Sequence, residues 1–380
     1  MIKGSRDSFR FIIGSQYFLY FGIMGIFLPY FNLYCFHLDF TGFQIGLLSA
    51  IRTVAIVLFP LFWGALADRF RIRRPIYILC NFVSAGIWTC YLYTTDFWLM
   101  LIITLFYGIF YAPIISFLEA FTMDVLGKEK KSYGRLRAWG SISFIVIVIV
   151  LGRIIDLFSI EIIIAVILAG SLLQALISVR IPDVVISSKK ESFTPKAKVL
   201  LKRRVTVFLF CAFLMLVSHG TYYAFFSIHL DSLGYGKTFI GITWAMASMA
   251  EILVMIKSDK IFKRFSLENV LVFSFMIATL RWLILFFVKS PALILISQLF
   301  HAISYGAFHI ASILYIDLLT PDEAKTLGQA ANNAVTYGLG MTVGFLFNGY
   351  LYESVGSFNL FIISSLIALS GGLIFKLGSR

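Results

Sequence analysis

Long apolar runs recur throughout this chain, and they constrain its fold more than any other feature of the sequence. Each run is about 20 residues long, which is the length that an α-helix needs to cross the hydrocarbon core of a bilayer. Hydrophobic residues make up 60% of the 380 residues and charged residues only 13%, so the chain cannot keep its surface in water. Short alternating segments of the kind that form a transmembrane β-barrel are not seen. The sequence therefore predicts an all-α integral membrane protein with twelve transmembrane helices, over residues 11–35, 43–67, 75–93, 97–119, 137–157, 161–180, 205–230, 239–257, 268–288, 292–316, 327–350 and 357–376.

The positive charges are concentrated in every second segment between these runs. The formal net charge is +13, and 27 of the 32 lysines and arginines fall before the first run, in alternate loops and in the tail. Of the remainder, Arg153, Lys237 and Lys289 fall in the other loops, and Arg52 and Arg281 lie inside predicted helices. Cytoplasmic loops of membrane proteins are enriched in Lys and Arg. We therefore expect a multi-pass protein of the plasma (inner) membrane with both termini in the cytoplasm, and no nucleic-acid partner.

The chain lacks the motifs that would indicate an enzyme or a receptor. Its four cysteines have no paired spacing, so we expect neither a disulfide framework nor a metal site. A phosphate-binding glycine loop with its lysine is absent, and we expect no cofactor and no use of ATP. No cluster of nucleophile and base is visible. The longest predicted loop, about 24 residues, is too short for the extramembrane domain of a receptor.

A polar segment divides the runs into two sets of six. Residues 181–204 hold two prolines, several serines and seven Lys/Arg, which is typical of a cytoplasmic linker. The predicted domains are a first six-helix bundle over 1–180, this linker, and a second six-helix bundle over 205–380. The two bundles echo each other, because the Ile-Gly pair that ends at Gly46 near the start of helix 2 recurs at Gly241 near the start of helix 8. Parallel six-helix repeats are a known plan of transporters.

One loop of the first half carries a family signature. The segment 64–74, Gly-Ala-Leu-Ala-Asp-Arg-Phe-Arg-Ile-Arg-Arg, resembles the loop motif of the major facilitator superfamily. Arg71 occupies the position where the motif has its second glycine, which puts the tight turn in doubt. The resemblance implies an inner-face gate, and its predicted residues are Asp68, Arg69, Arg73 and, at the end of helix 8, Asp259.

Shorter motifs over nearly the whole chain resemble lactose permease and the phenylpropionate permease group. The sequences Phe-Gly-Ile-Met-Gly at 21–25, Gly-Arg-Leu-Arg at 134–137 and Tyr-Glu-Ser-Val-Gly at 352–356 are similar to the former. The sequence Thr-Tyr-Tyr at 221–223 and the pairs at 250–251 and 281–282 are similar to the latter. The order and spacing of these motifs identify the chain as a major facilitator transporter.

The resemblance implies a set of substrate-contacting residues. Glu119 and Arg137, 18 residues apart, match the sugar-contacting acid and arginine of lactose permease, and Phe144 replaces its stacking tryptophan. In the second half the matching residues are Glu251, Arg281 and His301, and Tyr222 is expected to line the same cavity. Glu251 and His301 are the predicted proton-coupling groups. Departures are also present: Ser304 replaces the proton-carrying glutamate, Tyr223 and Tyr337 replace an intramembrane acid and lysine, and Gln298 replaces another lysine.

The residues themselves leave alternatives open. Glu119 and Arg137 are expected to face each other across a helical hairpin, but charges near helix ends can also reach lipid headgroups. Glu251 is either a proton carrier or a structural partner of Arg281. The spacing of His301, Tyr305 and His309 places all three on one face of a helix. A lone buried histidine is usually a core residue, whereas this face indicates a polar wall.

These observations predict a secondary active transporter that works by alternating access. We expect proton-coupled symport of a small organic solute, an aromatic carboxylate such as a phenylpropionate-like acid, because the arginines and aromatic residues suit that chemistry. An oligosaccharide or nucleoside proton symporter is the alternative. The expected partners are the small-molecule substrate, protons and the lipid bilayer, and the protein is expected to be a monomer.

Overall fold

The protein is helical throughout the residues that the structure describes. This computed structural model describes residues 3–182 and 200–378, and these ranges contain no β-strand. The helices are α1 (Lys3–His37), α2 (Gly42–Phe70), α3 (Arg73–Trp88), α4 (Phe97–Leu126), α5 (Tyr133–Leu157), α6 (Ile162–Ser178), α7 (Arg203–Ser232), α8 (Lys237–Arg264), α9 (Leu267–Phe287), α10 (Pro291–Leu299), α11 (Phe308–Leu319), α12 (Lys325–Asn332) and α13 (Met341–Gly378). Two π-helical segments, Ala302–Ala307 and Asn333–Gly340, join α10 to α11 and α12 to α13.

Ten helical segments of the described chain are long and apolar enough to cross a membrane. The longest, Asp322–Gly378, contains a break at Gly356, whose φ of 74° and ψ of 168° are not helical. It therefore comprises two runs, and the shorter apolar helix Ile162–Ser178 is a further one. Counted in this way the described residues contain twelve apolar runs, so the predicted all-α membrane fold is confirmed.

Several helices extend past the apolar runs that predict them. The fourth helix continues from the expected end at residue 119 to Leu126, where Gly127 stops it with a φ of 53°. The fifth begins at Tyr133 instead of residue 137, and α8 continues from residue 257 to Arg264. Hydropathy marks only the part of a helix that lies in hydrocarbon, whereas backbone hydrogen bonding continues until a turn residue ends it.

The chain forms two compact units. Unit 1 contains residues 1–40, 54–190 and 236–241, and unit 2 contains 41–53, 191–235 and 242–380. The two units differ from the two predicted bundles at two places. The first turns of α2 belong to unit 2, and the first turn of α8 belongs to unit 1. Most of the predicted linker, residues 183–199, lies outside the described residues.

Close helix contacts hold each unit together. In unit 1, a Cβ on Gly25 would lie 3.1 Å from the carbonyl oxygen of Phe144, so α1 and α5 meet almost backbone to backbone. In unit 2, a Cβ on Gly220 would lie 2.6 Å from the carbonyl carbon of Gly344, which brings α7 against α13. Small residues at such crossings let helices approach closely, and close packing stabilises helix association in lipid.

Two carboxylates cap helix N-termini at corresponding places in the two units. In unit 1, Asp156 near the end of α5 accepts hydrogen bonds from the backbone N–H groups of Lys237 (2.7 Å) and Thr238 (2.8 Å). In unit 2, Glu353 accepts one from the backbone N–H of Gly42 (2.7 Å). A carboxylate at a helix N-terminus satisfies free N–H groups and complements the helix dipole. The caps therefore stabilise the starts of α8 and α2.

The tight turn after α2 is kept although its second glycine is missing. Arg71 adopts a left-handed φ of 57°, and the N–H of Ile72 donates to the carbonyl of Ala67 at 3.1 Å. This is the Schellman arrangement, in which glycine normally occupies the left-handed position. The doubt about the turn is resolved: the backbone takes the same shape, at a conformational cost of about 1–2 kcal/mol for a residue with a Cβ.

We expect Arg71→Gly to stabilise the protein by about 1 kcal/mol, because glycine adopts a positive φ without that steric cost. The matched control is Arg69→Gly, at an exposed position within the helix, which is expected to destabilise by up to about 1 kcal/mol. Equilibrium unfolding in mixed micelles measures both. Equal destabilisation by the two variants would show that Arg71 carries no backbone strain.

Candidate functional site

A buried arginine organises the polar residues of unit 2. Arg281 of α9 is fully buried, and its guanidinium lies over the ring of Tyr222 (4.2 Å from the carbon of the group to the centroid) and beside that of Trp282 (4.8 Å). Its Nη2 donates to Oε1 of Gln298 at 2.9 Å, and that oxygen also accepts from the Tyr222 hydroxyl at 3.1 Å. A charge in such surroundings is retained at considerable cost, which indicates a function.

A histidine links this arginine to a carboxylate. Nη1 of Arg281 lies 2.6 Å from Nδ1 of His301, and Nε2 of His301 lies 2.7 Å from Oε1 of Glu251. Arginine has donors only, so Nδ1 must be the acceptor and the histidine proton must lie on Nε2, pointing at Glu251. The three groups form a relay in which His301 is neutral. Glu251 is thus joined to Arg281 through His301, and its role as a proton carrier stays a prediction.

Several buried polar atoms around this relay lack a hydrogen-bond partner in the described chain. They are Nε of Arg281, Nε1 of Trp282, Nε2 of His219 and Oγ of Ser304. The His219 ring lies 5.0 Å from that of Trp282 and 6.1 Å from that of His301 (centroid to centroid), so the unpartnered atoms of His219 and Trp282 lie beside the relay. Buried groups without partners are rare, and such a set is typical of a site that receives a polar ligand or water.

The predicted polar face of the tenth run is confirmed. The rings of His301 and Tyr305 stack at 5.1 Å, and those of Tyr305 and His309 at 6.5 Å. The Tyr305 position lies in the π-helical segment Ala302–Ala307, and Nδ1 of His309 is 2.5 Å from the hydroxyl of Tyr337 in the other π-helical segment. Such segments are frequent at functional sites, and sequence periodicity does not reveal them.

In unit 1, Glu119 and Arg137 lie near each other without a direct ion pair. The Tyr133 hydroxyl donates to Glu119 at 3.4 Å. The Arg137 guanidinium instead lies over the ring of Phe21, 3.8 Å from its centroid, and 5.8 Å from that of Tyr17. Among described residues no acceptor takes a hydrogen bond from Arg137. The expected face-to-face arrangement of Glu119 and Arg137 is therefore looser than a salt bridge. The N–H groups of the guanidinium can still donate to a ligand.

The Phe144 ring is only 9% exposed, and its backbone packs against Gly25. Its predicted stacking on a substrate remains a prediction, and the closer aromatic neighbour of Arg137 is Phe21 of α1.

The predicted gate residues are only partly brought together. Nη2 of Arg73 is 3.8 Å from Oδ1 of Asp68, whereas its Nη1 donates to Oδ2 of Asp124 at 2.9 Å. Arg69 is exposed, with its guanidinium beside the ring of the next residue. Asp259 of unit 2 is exposed as well, and it forms no ion pair within the described ranges.

Sequence reasoning missed several contacting residues. Gln298 anchors both Arg281 and Tyr222, although the sequence shows only that a lysine of the resembling family is absent here. Asp124 is the nearer partner of Arg73, and Tyr133 is the donor to Glu119. In the sequence, the only indication of Gln298, Asp124 and Tyr133 is that each is a polar residue one or two helical turns from a residue predicted to be functional.

Residues that could hold a metal are not grouped in the described part of the chain, where no set of three or more His, Cys, Asp or Glu side chains comes together.

A protein with twelve apolar helical runs and a buried polar relay is typical of one class, the multi-pass membrane transporters. The sequence pattern of the MFS_1 like family matches residues 11–363. The chain belongs to this family and so to the major facilitator transporters, which are not enzymes.

Relatives within this superfamily differ in their named substrates. The Escherichia coli (strain K12) protein named "Probable 3-phenylpropionic acid transporter" is 27% identical over 362 residues, which cover 93% of each chain. The maltose permease of Geobacillus stearothermophilus is 23% identical over 95% of this chain and 92% of its own. The crystal structure of the nucleoside transporter NupG has a TM-score of 0.88 at 17% identity, over 98% of this chain and 99% of that one. The last similarity is one of fold alone. The chain itself is a transporter of the major facilitator type.

Proposed function

We propose that this protein is a proton-coupled symporter that takes up a small aromatic carboxylate by alternating access. The observation that carries the proposal is the Glu251–His301–Arg281 relay within membrane-spanning helices. Glu251 is the only acid of the relay, and it is hydrogen-bonded to His301, whose Nδ1 already accepts from Arg281. A proton taken up by the relay therefore has one defined position, the carboxylate of Glu251. Charges at this depth are costly and are retained for ion or proton pathways.

The anionic substrate class is supported by the different states of the two arginines. Arg281 already donates to His301 and Gln298. Among the described residues no acceptor takes a hydrogen bond from Arg137, whose guanidinium lies beside the rings of Phe21 and Tyr17, and such a guanidinium suits a bidentate carboxylate. The aromatic surface of Phe21 and Tyr17 beside it favours a ring-bearing acid. The name of the Escherichia coli relative points to the same chemistry. A nucleoside or an oligosaccharide is the alternative, since relatives of those kinds exist as well.

Uptake by proteoliposomes tests this proposal. With an acidic exterior, labelled 3-phenylpropionate should accumulate beyond its level in protein-free liposomes, which corrects for diffusion of the neutral acid. Uridine and maltose should not accumulate. Arg137→Gln should lower uptake at least tenfold, since a charge-assisted hydrogen bond contributes about 1.5–3 kcal/mol. Arg135→Gln, at an exposed position two residues away, is the matched control. Accumulation of uridine or maltose in place of the carboxylate would refute the substrate class.

We also propose the predicted arrangement in the membrane: two six-helix halves, residues 1–180 and 205–380, in a monomer of the inner membrane with both termini in the cytoplasm. A cysteine at Ser132 should then react with an impermeant thiol reagent only from the cytoplasmic side, and one at Thr41 only from outside. The exposed Cys90 is first replaced by serine, while the other three cysteines are buried. Labelling of both sites from the same side would contradict the model of two cytoplasmic ends. Ser188, in the linker, lies outside the described residues.

The gating role proposed for Asp68, Arg69, Arg73 and Asp259 makes a further prediction. Asp68→Asn should slow transport about tenfold, or about 1.4 kcal/mol in the barrier, with binding still measurable. Its stability should hardly change, because its contact with Arg73 is long and exposed. Asp124→Asn breaks the shorter ion pair and should destabilise by about 1 kcal/mol. If Asp124→Asn slows transport and Asp68→Asn does not, the gate contact is Arg73–Asp124.

A further inference from the structure

A second histidine lies on the same apolar run as His301, and the relay does not use it. His309 is in the first turn of α11, about two helical turns nearer than His301 to Leu319, where the run ends. The arrangement proposed above places that end of the run in the cytoplasm. A proton that a symporter releases inside the cell would therefore have to travel in the direction of His309.

Glu251 packs on the helix between the two histidines. A Cβ on Gly306 would lie 3.5 Å from Cγ and 3.6 Å from Cα of Glu251, so the two helices meet at this glycine. The carboxylate contacts His301 at 2.7 Å. It is also close enough to the His309 ring for opposite charges on the two groups to stabilise each other. Glu251 thus has an imidazole towards each end of the run.

The His309 ring is anchored through one nitrogen and open at the other. Its Nδ1 lies 2.5 Å from the Tyr337 hydroxyl, and its ring is parallel to that of Tyr305, with centroids 6.5 Å apart. No described residue forms a hydrogen bond with its Nε2, and the side chain is partly exposed. When Nδ1 donates to Tyr337, Nε2 has a free lone pair, which is what a proton acceptor needs.

Few ionisable groups face this ring in the described chain. They are Glu251 of α8, Tyr337 of the second π-helical segment and Tyr305 of its own run, with Tyr223 of α7 beyond Tyr305 (5.9 Å between ring centroids). The three phenols stay neutral near pH 7. In this set, Glu251 is therefore the group that can exchange a proton with His309.

Polar groups continue from the ring towards the same face of the membrane. Asn333 is exposed and lies one turn of the second π-helical segment before Tyr337. That segment follows α12, whose first residue, Lys325, pairs with Asp317 near the end of α11 at 3.3 Å. A proton that leaves His309 in this direction meets polar groups.

We propose that His309 carries the proton between Glu251 and the face where α11 ends, a role that rests on the proton coupling proposed above. The O–H bond of the Glu251 carboxyl breaks and an N–H bond forms at Nε2 of His309, directly or through one water. Nδ1 keeps its own proton, which is hydrogen-bonded to Tyr337, so the ring becomes an imidazolium beside a carboxylate. The Nε2 proton then passes to water. Glu251 stays ionised, and Arg281 compensates its charge through His301.

Net uptake and exchange in proteoliposomes test this role. His309→Asn keeps an amide near the Nδ1 position, which can still donate to Tyr337, but it cannot take up a proton. We expect net uptake of 3-phenylpropionate under a proton gradient to slow at least about tenfold, because a positioned proton-transfer group contributes about 10²–10⁴-fold to its own step. Exchange of labelled for unlabelled substrate should not change. Imidazole in the lumen should restore part of the net uptake, which a purely structural role would not allow.

Two further variants accompany this change. Tyr337→Phe removes the anchor and keeps the imidazole, so it should slow net uptake less than His309→Asn does. If His309→Asn does not fold, His309→Gln replaces it with the same expectation. The matched control is His229→Asn, because His229 is a buried histidine of α7 whose Nδ1 lies 3.0 Å from the hydroxyl of Ser357. Its ratio of net uptake to exchange should equal that of the unaltered protein.

Three results would overturn the role of His309. They are an unchanged ratio of net uptake to exchange in His309→Asn, a lowered ratio that imidazole does not raise, and equal slowing by His309→Asn and Tyr337→Phe. The proton coupling itself is decided by the unaltered protein. If that protein does not accumulate substrate under a proton gradient, the coupling fails and the role of His309 fails with it.

Discussion

Glu251→Gln is expected to abolish uphill accumulation of substrate while substrate exchange across the membrane continues. Glutamine has the shape of a protonated glutamate but cannot release a proton, so the carrier can still change conformation without coupling. Nε2–H of His301 can still donate to the amide oxygen, which preserves the 2.7 Å contact. The defect should therefore lie in coupling and not in folding.

His301 serves as the comparison within the same relay. A second proton on this ring would have to occupy Nδ1, which faces the Arg281 guanidinium at 2.6 Å. His301 is accordingly a poor proton store in this arrangement, and His301→Gln should affect exchange less and shift the pH profile of uptake instead. The sequence already favours Glu251 over His301 as the proton-coupling group, and the geometry adds a physical reason, because Nδ1 of His301 faces Arg281.

Two assays on the same proteoliposomes measure the outcome. Accumulation is followed under an imposed proton gradient, and exchange is followed as loss of labelled substrate into an excess of unlabelled substrate. Glu323→Gln, an exposed acid-to-amide change, should alter neither. If Glu251→Gln still accumulates substrate against its gradient, Glu251 is not the coupling group.

Arg281→Met is expected to cost about 3–5 kcal/mol of stability, the largest single effect we anticipate on the fold. Removing one member of a buried charge network leaves the opposite charge without compensation, here the carboxylate of Glu251 at the end of the relay. Oε1 of Gln298 loses one of its two donors, and Nδ1 of His301 loses the guanidinium donor. The ring faces of Tyr222 and Trp282 also lose a cation.

A double variant distinguishes this electrostatic effect from a packing defect. Arg281→Met with Glu251→Gln removes both charges, and we expect it to recover more than half of the lost stability, since an uncharged relay needs no compensation. Arg264→Met, in the exposed last turn of α8, should stay within about 0.5 kcal/mol of the unaltered protein. Denaturant unfolding in mixed micelles measures all four proteins. Equal stability of the single and double variants would mean that Arg281 matters only through its volume.

Much of the fold follows from the sequence because lipid leaves the backbone few choices. An apolar run of membrane length must satisfy its own N–H and C=O groups, which only a helix or a closed barrel can do. The hydropathy of the chain therefore determined the helix number, and the signature at 64–74 determined the family. The stacking of His301, Tyr305 and His309 was equally predictable, since spacings of four residues place side chains on one helix face.

The tertiary structure decided the partners within that frame. Which donor meets which acceptor depends on how each helix is rotated about its axis and crosses its neighbours. Hydropathy does not predict that rotation. Thus Arg281 of α9 meets Gln298 of α10 and reaches Glu251 of α8 only through His301. Arg73 meets Asp124 more closely than the nearby Asp68 of the motif. Arg71 completes a left-handed turn that its residue type disfavours, because the helix end and the following helix together impose that backbone.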